Sequence, residues 1–206
     1  MTTRDAVLKP VPIADLRPTQ ITLRMREVEQ RRQQCRKHGG DDFAEFVSRH
    51  MVPTVLGPKK RHYLLDHHHL VRAMLEEGVE EVMVSVAADL SELSRYPFWV
   101  YLDNRSWCHP YDEDGKRRDF DAIPKTIAEL KDDPFRSLAG ELRRAGGFAK
   151  DSMPFSEFLW ADFLRNRLDV EKVTGDFADA LVMALTLAKS DAANYLPGWC
   201  GPDPIG

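Results

Sequence analysis

Val52-Pro53-Thr54-Val55-Leu56, Gly57-Pro58-Lys59-Lys60, His62-Tyr63-Leu64-Leu65, Asp66-His67-His68-His69 and Leu70-Val71-Arg72-Ala73-Met74-Leu75 follow one another almost without interruption. The first is a β-branched apolar run, and the Gly-Pro pair then supplies turn chemistry. His62–Leu65 reads as a second strand, so the two make a hairpin. Leu70, Ala73 and Met74 recur at helical spacing, and Gly78 suits the position just past a helix end. Val82, Val84 and Val86 alternate with Met83 and Ser85 as a third strand. The local order is strand, turn, strand, helix, strand. A helix that leaves directly from a strand end turns its first N–H groups and the positive end of its dipole to the three histidines. That arrangement suits phosphate or another anion, and a histidine there can donate a hydrogen bond to a phosphoryl oxygen. Successive helical residues point about 100° apart, so the three histidines do not share one metal ion. The plain alternative gives one histidine to capping, one to packing and one to solvent.

Upstream, Val7–Ile13 is apolar but broken by Pro10 and Pro12, which limits it to an edge strand or extended arm. Thr22–Lys37 reads as a helix with a thin apolar stripe of Met25, Val28 and Cys35. From Arg17 to Lys37 there are seven Arg and Lys against Glu27 and Glu29, a local charge of +5. Such a helix either contacts a nucleic-acid backbone or simply presents a solvated face. Asp42 with Glu45 resembles a capping box before a short amphipathic helix over 43–51. Downstream, the chain changes character. Thr126 with Glu129 is a second capping box, and Asp133-Pro134 is an N-cap followed by proline at the first helical position. Phe135, Leu138 and Leu142 make that helix's stripe. Another helix starts at Ser152 or Ser156, with Phe155, Phe158, Leu159 and Phe163 as its apolar positions. Asp176 caps the last. The fold class expected is therefore α+β, a small mixed sheet over residues 7–90 with a helical C-terminal extension over 120–190 packed on it. An irregular tail over 195–206 follows.

Bulk composition narrows the function. The chain has 206 residues with 43% hydrophobic and 30% charged residues and a net charge of −4. This balance suits a soluble globular protein and gives no sign of a dedicated nucleic-acid coat protein or membrane-surface binder. No apolar run reaches the roughly 18 residues of a membrane-spanning helix, and Met1–Ala6 lacks the apolar stretch of a signal peptide. Cys35, Cys108 and Cys200 are widely spaced and odd in number, which argues against a disulfide framework or zinc knuckle and for a reducing, cytoplasmic setting. No GxxxxGK[ST], GxGxxG, HExxH or GxSxG motif occurs. Asp112-Glu113-Asp114-Gly115 lacks the first carboxylate of a calcium loop, because Pro110 stands there, and reads as a solvated acidic turn. The aromatics of Tyr96–Leu102 and Trp107–Tyr111 read as core in a polar connector. Cys108 and His109, being adjacent, are poorly placed to act as a nucleophile pair.

The opening Val11-Pro12-Ile13-Ala14-Asp15-Leu16-Arg17-Pro18-Thr19-Gln20 resembles the start of ParB-type domains, with their Ile-Pro, short spacer and Leu-Arg-Pro. The hairpin from Val52 and the Asp66-His67-His68-His69 turn resemble the second signature of the same superfamily, so the chain is similar to the ParB/sulfiredoxin superfamily and to its ParB-like nucleases. The resemblance covers residues 7–87. It implies a phosphate site lined by Asp66, His67, His69 and Arg72, approached by Arg17, Gln20 and Arg24. It also implies Glu27 and His68 as catalytic groups, Glu27 taking a proton from the attacking water or hydroxyl. No all-protein metal site is visible, so magnesium would be held through substrate oxygens. A nuclease or phosphohydrolase is the function implied first. A nucleotide-dependent small-molecule kinase and a non-catalytic nucleotide- or nucleic-acid-binding module are the alternatives, with nucleotide or nucleic acid as the partner and no membrane. His67 stands where the signature has glycine and Leu70 where many members have arginine. No cysteine lies at the turn, so sulfinic-acid chemistry is not implied, and no helix-turn-helix is evident in 120–190.

Overall fold

The computed structural model describes residues 9–37 and 51–202; the helix expected over 43–51 falls, apart from Met51, outside them. The fold is α+β. The chain divides into two compact units, Met1–Asp132 and Asp133–Gly206.

In the first unit the strands are β1 (Lys9–Pro12), β2 (Thr22–Leu23), β3 (Val52–Gly57), β4 (Arg61–Leu64), β5 (Glu81–Asp89) and β6 (Lys131–Asp132). The helices are α1 (Met25–Lys37), α2 (His68–Glu76) and α3 (Arg95–Asn104). Four strands form a mixed sheet in the order β1-β5-β3-β4. The β3–β4 hairpin is antiparallel, with Thr54 opposite Leu64, and β3 runs parallel to β5 after the α2 crossover. The proline-broken β1 takes the edge, where its missing N–H groups cost little. Lys59 and Lys60 turn the hairpin with positive φ.

Period-two alternation separates two cores across this sheet. Val52, Leu64, Val82 and Val84 face one way and pack with Val28 and Cys35 of α1 and Val71 and Met74 of α2. Val55 faces the other way, with Tyr63 partly buried beside it, against Phe98, Trp99 and Leu102 of α3. A Cβ at Gly57 would stand 2.5 Å from Tyr63 and 2.6 Å from Phe98, so only glycine lets those rings cross β3.

Two readings change here. Thr22 and Leu23 do not begin α1; they form β2, paired parallel to β6. The first turn of α1 is satisfied from afar, since Met25 N–H donates to Asp132 Oδ1 at 2.9 Å. A cap 107 residues away has no local sequence signal. The Tyr96–Leu102 stretch is helical rather than connector: α3 buries Phe98, Trp99 and Leu102 while leaving Tyr96 73% exposed.

The second unit holds α4 (Pro134–Arg144), α5 (Ser156–Arg165), α6 (Val170–Gly175) and α7 (Phe177–Ala188). Asp133 caps α4, its Oδ1 accepting from Phe135 N–H at 3.0 Å and Arg136 N–H at 3.2 Å. The Phe135, Leu138 and Leu142 stripe is buried as its spacing predicts. The α5 stripe is the expected one only in part: Phe163 is buried, while Phe155 and Phe158 are half-buried. Trp160, Ala161, Phe163 and Leu164 are buried, and Leu159 is exposed. Trp160 stacks on Phe148 with centroids 4.3 Å apart, and its Nε1 donates to Pro197 O at 2.8 Å. The capping box at Thr126 is present, but it opens one 3-10 turn, Ile127–Glu129, rather than an α-helix.

Candidate functional site

The chain leaves β4 at Leu64 and enters α2 at His68 through Leu65, Asp66 and His67. The Asp66 carboxylate accepts from His67 N–H at 2.6 Å, and His67 caps the helix with φ +66°. This left-handed conformation costs a residue with a Cβ roughly 1–2 kcal/mol, which is the physical reason for glycine at this place in the signature. His67 and His69 are half-buried and Asp66 is exposed.

His68 is buried, and the Arg17–Gln20 segment lies against it. Thr19 N–H donates to His68 Nε2 at 3.3 Å, and Thr19 Oγ1 donates to Leu64 O at 2.7 Å. An Nε2 that accepts is unprotonated. His68 is thus placed to hold the Arg-Pro-Thr-Gln segment on the start of α2, a positioning task where a catalytic one was expected. The segment is also laddered to β4, with Arg17 N–H donating to His62 O at 2.9 Å and Leu64 N–H to Arg17 O at 2.8 Å. Thr19 is the partner not singled out from sequence; only its place between Pro18 and Gln20 marked it.

Two donors in this segment are unspent. Gln20 is 7% exposed, and its Nε2 has no hydrogen-bond partner among the described residues. The same holds for buried Arg17 Nε, although Arg17 Nη1 donates to Lys125 O. A buried donor without a partner costs about 1–3 kcal/mol, so such groups call for an explanation.

Arg72 points elsewhere. Its Nε donates to Glu76 at 2.6 Å, and its Nη1 donates to Ala128 O at 2.7 Å and Ile127 O at 3.1 Å. It clamps the 3-10 turn onto α2. The basic face of α1 is largely spent on ion pairs. Arg32 Nε and Arg36 Nε reach Glu77 at 2.7 and 2.9 Å, and Arg32 Nη1 reaches Glu76 at 3.1 Å. Glu27, mostly buried, pairs with Arg24 and, at 3.5 Å, with Arg31. Arg72 also reaches Leu130 O, two residues from the Asp132 that holds Met25. Late α2 thus meets late α1.

Hydrogen bonds from Arg36 and then Arg32 pull the Glu77 carboxyl from its ordinary 4.5 down to about 2. A carboxyl depressed in the folded state stabilises it above the unfolded value, and the contribution is lost as protons bind. Glu77 therefore contributes fully above about 4.5 and loses its contribution as pH falls toward 2. Glu77→Gln is expected to flatten the acid limb of stability over that window, measured by urea unfolding at stepped pH. An unchanged limb would contradict the assignment.

Cys108 is no nucleophile. Burial, and then Asp103, pushes its thiol up to about 12, far from the thiolate that attack requires. Asp112 is not in a solvated turn. It is buried and accepts from Lys116 N–H at 2.8 Å and Asp114 N–H at 3.0 Å, and it pairs with Arg118.

A family model described as "Putative ParB-like nuclease" matches residues 9–166. The chain is 50% identical to protein Atu1540 from Agrobacterium tumefaciens, known from a crystal structure, with a TM-score of 0.90 over 97% of this chain and 99% of that one. No curated protein matches. Among the described residues no helix is long and apolar enough to cross a membrane. The match spans well over half of the sequence, from β1 through α5, and includes both the Arg-Pro-Thr-Gln segment and the histidine turn: the chain belongs to the ParB-like nuclease family.

Proposed function

We propose that the chain is a phosphodiester- or nucleotide-phosphate-cleaving enzyme whose substrate phosphate lies between the Arg17–Gln20 segment and the first turn of α2. The observation that carries this reading is the pair of buried, unspent donors, Gln20 Nε2 and Arg17 Nε, on a loop tied to His68. A phosphate oxygen is the acceptor they lack, and the helix N-terminus beside them favours negative charge. Glu27 is the base. It takes the proton of the attacking water as the new P–O bond forms and the bond to the leaving oxygen breaks. Arg24 and Arg31 orient its carboxylate. His68 keeps the loop in register, and Asp66 holds the His67 cap. Arg72 supports the site through the 127–130 turn rather than by touching phosphate. Among the described residues no cluster of three or more His, Cys, Asp or Glu is disposed to hold a metal ion. Magnesium enters this reading as a counter-ion on the substrate.

Gln20→Met separates a ligand donor from a structural one. Replacing an unsatisfied buried amide with a thioether of similar shape is expected to leave stability unchanged or raise it by about 1 kcal/mol. The same change should remove the share of nucleotide stabilisation that this site supplies, about 2.7 kcal/mol at 100 times its dissociation constant. Thermal unfolding with and without nucleotide and magnesium measures both. A variant that is markedly less stable yet shifted by nucleotide as far as wild type would sink the proposal.

A further inference from the structure

A cavity of about 490 Å³ opens on the side of the first unit where α3 packs against the 117–121 segment. Aromatic faces and the guanidinium groups of Arg95, Arg117 and Arg118 line it together with the Asp119 and Asp121 carboxylates. Trp99, 6% exposed, forms the floor, and Phe120 stacks on it with centroids 5.8 Å apart and planes 13° from parallel. Tyr96 stands at the mouth, 73% exposed, with no hydrogen-bond or ring partner among the described residues. Arg117 lies over the outer face of Phe120, its Cζ 5.7 Å from the ring centroid. Arg95 projects beside Tyr96 and pairs with Asp121.

These cations are lightly held. The side chains of Arg95 and Asp121 are 63% and 78% exposed, and those of Arg117 and Asp103 are 44% and 40% exposed. Exposed pairs of this kind contribute little, about 0–1 kcal/mol. Either guanidinium can exchange its carboxylate for a phosphate, which matches the planar fork at least as well. The aromatic surface matters more. A large ring left standing in water at the rim of a concave site is a stacking face without an occupant. Every nucleobase offers a π-face to such a ring regardless of its sequence.

We propose that this cavity is a second binding site, for a nucleobase carrying its own phosphate. The base lies on the exposed face of Tyr96 and the edge of Phe120, and Arg95 and Arg117 meet the phosphate. The occupant is either a free nucleotide or one residue of a single strand, since both present the same chemistry. The site shares no residue with the Arg17–Gln20 loop. It is nevertheless joined to that loop: Trp99 touches Tyr63 with centroids 5.6 Å apart, and Tyr63 pairs with Arg17 in the β4 ladder.

Calorimetric titration of the whole chain tests this, with adenosine monophosphate, a short single-stranded oligonucleotide and inorganic phosphate as three separate ligands. Tyr96→Ala and Arg95→Ala alter exposed residues and leave the fold intact, which circular dichroism checks. Each should weaken nucleotide or oligonucleotide binding about tenfold, the loss of one stacked base or one phosphate contact. Oligonucleotide binding much tighter than nucleotide binding assigns the site to a strand; equal binding assigns it to free nucleotide. The titrations are run in the Gln20→Met background, where the loop donor is gone, so failure of the loop reading and failure of this one are seen separately. Binding that is unaffected by Tyr96→Ala, or matched by inorganic phosphate alone, would overturn the proposal.

Discussion

Glu27→Gln is expected to lower cleavage of a nucleic-acid or nucleotide substrate by about 10²–10⁴-fold, the contribution usual for a positioned general base. The amide keeps the shape and the hydrogen-bonding reach of the carboxylate but cannot take a proton from water. Substrate binding should change little, because the loop donors at Arg17 and Gln20 are untouched. The effect therefore falls on kcat rather than on KM. The same substitution removes the ion pairs to Arg24 and Arg31, and its modest cost to stability is read separately by thermal unfolding. Single-turnover cleavage assays on matched substrate decide the matter. Retention of wild-type kcat by a folded Glu27→Gln would remove Glu27 from the chemistry and leave the site as a binding module.

Trp160→Ala should be the most damaging single truncation in the second unit. Trp160 is fully buried, stacks on Phe148 and meets Phe163 edge-on at 5.8 Å. Its Nε1 also satisfies Pro197 O, so the indole ties the 195–199 segment to α5 beside the Phe163–Tyr195 ring contact. Removing a buried tryptophan costs about 3–5 kcal/mol through lost contacts and the cavity left behind. That is a large fraction of the roughly 5–15 kcal/mol that holds a domain folded. Urea unfolding followed by circular dichroism should show the midpoint fall by the corresponding amount. Trp160→Phe should recover part of the loss, since it keeps a ring against Phe148 while giving up the hydrogen bond. A Trp160→Ala variant within about 1 kcal/mol of wild type would contradict this packing.

Much of the α+β architecture was readable directly. The hairpin, α2 and β5 stand where β-branched runs, Gly-Pro turn chemistry and period-two valines place them. The Asp133-Pro134 start of α4 and the Asp176 cap of α7 follow from side chains that satisfy N–H groups two or three residues on. The two segments that meet at His68 were marked as well, by the resemblance of the Leu-Arg-Pro-Thr-Gln and histidine motifs to the family's signatures. In each case a short stretch of chain carries its own physical reason, so the sequence alone determined it.

Tertiary structure decided what depends on distant partners. The start of α1 is set by Asp132, not by any neighbouring cap. The helix α3 lacks a clean apolar stripe because both sides of it meet aromatic rings, Tyr63 of the sheet against Phe98 and Trp99, and Phe120 beyond Trp99. The +5 segment leaves a nucleic-acid contact and a solvated face equally open in the sequence, and only the fold brings Glu76 and Glu77 of α2 and its C-terminal end against Arg32 and Arg36. Arg72 looked like a phosphate clamp until the 127–130 carbonyls reached it. Charge and motif announce which groups seek a partner; only the packed chain determines whether that partner is another part of the protein or a ligand. Gln20 shows the difference. Its amide is an ordinary polar group in the sequence, and burial without a partner makes it a donor in search of an acceptor.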